Sequence, residues 1–294
     1  MEIGVQSVRA PDGRTLEVSV AGPEAAPALI AHTGTPSDGS QHRETLEEAA
    51  VRGLRQISYA RPGYAGSDRH EGRTVADCAR DVEAIADALR VERFHTVGWS
   101  GGGPHTLACA ALLPDRVIAA ATVAGAAPHD VEGLDWREGM GKENIEEMGL
   151  AERGADALRP FLERAAEEMR ESTADDLLEI LGDLVSEPDR AALTGEYAAE
   201  SLASLLGAVS TGVWGWLDDD LAFVRSWGFD LDEIRVPVSV WHGREDRFVP
   251  LAHGEWLAAH VPGARSHMVE GEGHISLSRQ RYGEVLDELL AGAD

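Results

Sequence analysis

The chain has 294 residues, 43% hydrophobic and 27% charged, which suits one large α/β domain carrying an insertion, or two modest domains. Its 52 acidic residues against 26 basic ones give a net charge of −26, a field that argues against binding nucleic-acid backbones or anionic membrane surfaces. The N-terminus shows no basic patch followed by an apolar run, and the most apolar stretch, from Val117 to Ala127, is about half the ~20 residues that span a bilayer. Cys78 and Cys109 form neither a metal-ligand spacing nor a disulfide framework, so a soluble cytoplasmic protein is expected. Lys142 is the lone lysine among the basic residues, a bias that reflects base composition and points to no reaction.

In chain order, Val5 to Val20 reads as two strands joined by a Pro11-Asp12-Gly13 turn, a hairpin that predicts an antiparallel edge. Short strands follow at Ala28 to Ala31 and Gln56 to Tyr59. A helix is expected from about Val75 to Leu89, where Cys78, Val82, Ile85, Ala86 and Leu89 repeat at helical spacing. Phe94 to Val97 leads into a glycine-rich turn, an Ala/Leu helix stops near Pro114, and Val117 to Val123 is another strand. This alternation predicts a mostly parallel sheet with helices on both faces. From about 129 to 232 no convincing strand appears. Stripes through Leu158 to Met169, Leu177 to Val185 and Leu202 to Val213 read as helices, with Thr173 and Asp176 as a capping pair and Pro160 tolerable only near a helix start. Asp218-Asp219-Asp220 reads as a helix N-terminus. The block holds 26 acids and 8 basic residues, a net −18. Such an excess is either a solvated outer face or a field that draws cationic or polar-neutral substrates. Strands resume at Val236 to Trp241 and Ser266 to Val269, with helices over Gly254 to Ala259 and Tyr282 to Leu290.

The strongest chemical signal is Gly98-Trp99-Ser100-Gly101-Gly102, a G-x-S-x-G pattern between a strand and a helix. A sharp strand-to-helix turn strains the serine backbone, and only neighbours without Cβ permit it. It exposes Ser100 Oγ beside helix N-terminal amides that can stabilise an oxyanion. A serine hydroxyl needs a base. His274, in a glycine-rich loop after a strand, supplies a candidate, and Asp246, with Glu245 as its neighbouring competitor, supplies the orienting acid. Chain order Ser, Asp, His is that of α/β-hydrolases rather than of the chymotrypsin or subtilisin arrangements.

With these residues in hand, the chain resembles the α/β-hydrolase superfamily along nearly its whole length, most closely the cap-bearing bacterial esterase-like and peptidase-like enzymes. The resemblance extends to Arg61-Pro62-Gly63-Tyr64-Ala65-Gly66-Ser67-Asp68 after the fourth strand and to Pro114-Asp115-Arg116-Val117 before the sixth. It implies the α/β-hydrolase fold, with a core domain over 1–128 and 233–294 and an all-helical cap over 129–232 inserted between strands six and seven. It further implies Ser100 as nucleophile, His274 as base then acid, Asp246 as orienting acid and the Gly101 amide as one oxyanion donor. The second donor is expected in His32-Thr33-Gly34-Thr35-Pro36, similar to the family's His-Gly-x-Pro loop. Thr35 falls at the donor position, Thr33 replaces the usual histidine, and the loop's bracing is expected to rest on Thr33 or His32. Haloalkane dehalogenases and epoxide hydrolases of similar fold carry an aspartate where Ser100 stands, so an acyl-enzyme route is the expectation.

Gly34, Trp99, Trp214, Trp216 and Phe248 are the candidate pocket residues; Trp99 either walls the pocket or packs behind it. Trp136, Trp227, Phe223 and Phe229 add to an aromatic set that forms either core or a pocket roof. No metal and no cofactor is expected, and the expected partner is a small-molecule substrate, with monomer and homodimer both open. The leading expectation is a serine hydrolase of a small carboxylic ester. The alternatives are an aminopeptidase of the proline-iminopeptidase type, a carbon–carbon bond hydrolase, and a non-catalytic ligand-binding protein on a hydrolase scaffold.

Overall fold

A computed structural model describes residues 2–292. Eight strands form one sheet: β1 (Ile3–Arg9), β2 (Thr15–Ala21), β3 (Ala28–His32), β4 (Arg55–Tyr59), β5 (Phe94–Trp99), β6 (Val117–Val123), β7 (Val238–Gly243) and β8 (Arg265–Val269), in the order β1-β2-β4-β3-β5-β6-β7-β8. The expected hairpin is present: β1 and β2 pair antiparallel, and β2 also runs antiparallel to β4, while every other pairing is parallel. The predicted strand at 236–241 begins two residues later, because Pro237 has no N–H to give to a ladder.

Helices flank the sheet: α1 (Arg43–Val51), α2 (Cys78–Ala88) and α3 (Gly102–Leu112) precede β6. Between β6 and β7 come α4 (Lys142–Glu152), α5 (Ala155–Glu171), α6 (Leu177–Ile180), α7 (Glu187–Ala192), α8 (Gly195–Ala208) and α9 (Trp214–Phe223); α10 (Leu251–His260) and α11 (His274–Ala291) complete the chain. The strand period of two separates the sheet's faces. Ile30, Ile57, Phe94 and Val240 pack with Val82, Ile85, Leu107 and Leu257 on one face. On the other, Leu29, Ala31, Val97, Ala121 and Val123 pack with Ala49, Leu277, Val285 and Leu286. Tyr64, from the loop after β4, packs with Leu158, Leu162, Val209, Trp216 and Leu217 of the helical segment.

Several elements differ from expectation. The stripe at 177–185 is broken into short turns rather than one helix, although Thr173 and Asp176 do form the reciprocal cap. Pro160 lies inside α5, five residues past its start. The last helix begins eight residues early, at His274, because Ile275 and Leu277 already bury their side chains in its first turn. Asp218, Asp219 and Asp220 are no helix N-terminus: they occupy the middle of α9 and are all buried. Among the described residues, no helix is long and apolar enough to cross a membrane.

Candidate active site

Ser100 sits between β5 and α3 with φ of 55°, in the left-handed region that a non-glycine residue adopts only under constraint. The turn is so tight that a side chain at Gly102 would collide with the His32 carbonyl, and one at Gly98 with the Gly102 carbonyl. The Ser100 N–H donates to the Val123 carbonyl (2.9 Å), anchoring the elbow to β6.

His274 opens α11, and its Nδ1 lies 2.7 Å from Asp246 Oδ2. With Nδ1–H donating to the carboxylate, Nε2 is left with a free lone pair. Asp246 follows β7 and is buried; its Oδ1 accepts the N–H groups of Phe248 (2.9 Å) and Val249 (2.8 Å). Glu245, its neighbour, is exposed and turned away from this role. The imidazole stacks on Phe248 at 4.6 Å and lies 5.2 Å from the Trp99 ring, whose Nε1–H donates to the His274 carbonyl (3.1 Å). Trp99 therefore both walls the pocket and holds the histidine backbone. Ser100 and His274 line one cavity of about 460 Å³. No Ser100–His274 hydrogen bond is formed among the described residues; in free enzymes such contacts are commonly loose and tighten around substrate.

The loop after β3 lies against the elbow. A side chain at Gly34 would press on Trp99 and Ser100, and one at Gly101 would strike Thr35 Oγ1. Thr35 and Gly101 thus face each other beside the serine. Bracing of this loop does not come from Thr33 or His32. Arg61 donates to the carbonyls of Thr33 (2.6 Å) and Gly34 (2.7 Å) and to Thr35 Oγ1 (2.8 Å), because a guanidinium carries enough donors to bind three backbone and side-chain oxygens together. Arg61 is held by Asp219 (2.6 Å), which also takes Arg73 (2.6 Å), Tyr64 OH (2.9 Å) and Thr35 Oγ1 (2.9 Å). Burial alone would raise the Asp219 carboxyl, but Arg61 and Arg73 outweigh it and hold it well below the usual carboxylate range. His105 Nδ1–H donates to the Gly101 carbonyl (2.7 Å), fixing the Gly101–Gly102 peptide of the elbow; burial, with Arg61 nearby, pulls its pKa down to about 3, so it stays neutral.

Of the candidate pocket residues, Gly34, Trp99, Trp216 and Phe248 line the cavity, as do Thr35 and Gly101. Trp214 does not. Two residues from Trp216 on a helix of 3.6 residues per turn, it points to the opposite side and carries the Arg69 guanidinium 4.5 Å above its ring. Trp136 and Phe223 reach the cavity, whereas Trp227 and Phe229 stack on each other in the core.

The cavity lining holds an acid pair. Glu147 Oε1 accepts the Trp216 Nε1–H (2.6 Å), and neither oxygen of the buried Asp220 meets a donor, so the two carboxyls can bond only through a shared proton. Burial, and then Glu147, push the Asp220 carboxyl well above its ordinary value.

Residues 27–278 match the family described as alpha/beta hydrolase fold. The chain belongs to that family. It is a hydrolase, and its relatives span several reactions. It is 27% identical over 240 residues, 78% of this chain and 73% of the relative, to a 2-hydroxy-6-oxononadienedioate/2-hydroxy-6-oxononatrienedioate hydrolase from Cupriavidus pinatubonensis. It is 32% identical over 111 residues to the uncharacterized hydrolase YcgS of Bacillus subtilis, a match spanning 36% of this chain and about a third of the relative, 36%. An esterase from Exiguobacterium antarcticum shares the fold at a TM-score of 0.71 and 17% identity, over 98% of this chain and 99% of that one.

Two expected outcomes follow from the buried charges. Asp219→Ala leaves two buried guanidiniums without their shared carboxylate and should cost about 3–5 kcal/mol in urea unfolding; a loss below about 1 kcal/mol would contradict the bracing role. Because the Asp220 carboxyl is raised, the folded chain keeps a proton that the unfolded chain releases above about pH 4, so this group's contribution to stability falls as pH rises from there. Asp220→Asn should therefore gain in melting temperature relative to the native sequence as pH rises above about 4, and a difference independent of pH would contradict the assignment.

Proposed function

We propose that this hydrolase cleaves a small carboxylic ester through an acyl-enzyme, with the helical segment of about 129–232 as a cap over the cavity. The observation that carries the reading is the convergence on one cavity of Ser100, strained into the elbow, with His274, itself oriented by Asp246. In this reading His274 Nε2 takes the Ser100 proton as Oγ attacks the carbonyl, and the Thr35 and Gly101 amides receive the negative charge on the carbonyl oxygen. Asp246 stabilises the imidazolium that forms. Protonated His274 then gives its proton to the departing alkoxide. The same nitrogen next deprotonates a water, whose oxygen attacks the acyl carbon; the Oγ–acyl bond then breaks, His274 returns the proton to Ser100 Oγ, and the acid departs.

Cavity charge favours an ester over the dienedioate for which the Cupriavidus relative is named. Glu143, Glu146, Glu147, Glu168 and Asp220 line it, against Arg164 as the one guanidinium among the described lining residues, so two substrate carboxylates would meet repulsion. The Glu147–Asp220 pair favours a second reading, an aminopeptidase whose substrate ammonium sits against the cap acids. Release of nitroaniline from a proline nitroanilide, with little ester turnover, would select that reading.

Ser100→Ala should lower turnover of a short-chain nitrophenyl ester by about 10⁴-fold or more while leaving the circular dichroism spectrum unchanged. A fluorophosphonate should label the native chain at Ser100. Ester turnover that survives in the alanine variant would overturn the acyl-enzyme reading.

A further inference from the structure

The N-terminus of α11 lacks an acceptor of its own. A helix leaves its first N–H groups without intrahelical partners, and the residue before this one, Gly273, has no side chain to accept them. The acceptor comes from the helical segment between β6 and β7. Asp189 of α7, wholly buried, places Oδ2 3.1 Å from the His274 N–H and Oδ1 2.7 and 2.9 Å from the N–H groups of Ile275 and Ser276. The Ser186 hydroxyl donates to Oδ2 at 2.7 Å.

No cationic side chain is paired with Asp189 among the described residues; its charge rests on these four donors and on the positive end of an 18-residue helix. Gly273 is the point of closest approach, where any side chain would collide with Ser186 Oγ and Asp189 Oδ2. His274 is thus fixed from three directions: its ring by Asp246, its carbonyl by Trp99, and its N–H by a carboxylate from a different part of the chain.

We propose, resting on the reading of His274 as the base, that Asp189 is a positioning residue through which the cap sets that base. The contact between α7 and α11 holds the His274 backbone where Nε2 can serve Ser100, so the base stands in working position only while this part of the cap is docked. Docking of α7 and assembly of the relay are then one event. Detaching α7 would strand a buried carboxylate and free the first turn of α11 together.

The test is Asp189→Asn in the full chain, assayed with a short-chain nitrophenyl ester and with a fluorophosphonate. The amide keeps the shape of the carboxylate but turns one acceptor into a donor aimed at helix N–H groups. It should lower kcat about 10–100-fold with KM within about twofold, and slow Ser100 labelling in parallel. Amide exchange at 274–276 should quicken. Ser186→Ala, which removes one of the four donors, should lower kcat a few-fold in the same direction and serves in place of the asparagine variant if that fails to fold. An active native chain whose variants keep kcat within about twofold, or lose only KM, would overturn this proposal alone. A native chain inert to ester and probe would overturn the functional reading and this proposal with it.

Discussion

The rest of the site depends on a steric constraint at residues 98–103. β5 must turn into α3 within a few residues while β3 and β6 press on either side, and there is no room for a Cβ at Gly98, Gly101, Gly102 or Gly103. The strain of that turn is taken up by Ser100, at φ 55°, which is the residue the turn presents to the cavity. The same closeness brings the loop after β3 against the elbow, so Thr35 and Gly101 come to face each other as a consequence of how the strands connect.

Buried charge adds the second layer. Asp219 and Asp189 both come from the helical segment, and each reaches into the core to hold a working loop. Asp219 does so indirectly, through Arg61, whose guanidinium takes two loop carbonyls; Asp189 does so directly, on three backbone amides. These are strong ties because a carboxylate taken out of water cannot leave its donors without a large penalty. They also alter the meaning of the acid excess. Asp189, Asp218, Asp219 and Asp220 are buried, so that part of the −18 on this segment is internal structure rather than a solvated face.

What was legible in the sequence was local. Ser100, Asp246 and His274 each lie just past a strand in a short glycine- or turn-rich stretch, and short β-like runs bounded by turn residues together with the period-3.6 stripes place all eight strands and most helices. Helix α1 escaped because it buries only Thr45, Leu46 and Ala49, too weak a stripe to register. The early start of α11 escaped because Gly271 and Gly273 read as loop, while the acceptor that lets a helix begin there belongs to Asp189, 85 residues away. Arg61 and Asp219 are 158 residues apart, and in an acid-rich chain a buried aspartate looks the same as a solvated one until its partner is known. Trp214 and Trp216 differ in role by helical phase, which the sequence hides because three consecutive aspartates imitate a helix start four residues after the true one.

The account stands most directly on where an oxygen goes when Ser100 is captured. In a crystal structure of the chain inactivated by a small alkyl phosphonate, phosphorus should be bonded to Ser100 Oγ. One phosphonyl oxygen should lie about 2.7–3.1 Å from both the Thr35 and the Gly101 nitrogens, with His274 Nε2 within hydrogen-bond reach of the ester oxygens. An adduct whose oxygen points away from both amides, or an inhibitor attached to another residue, would contradict it.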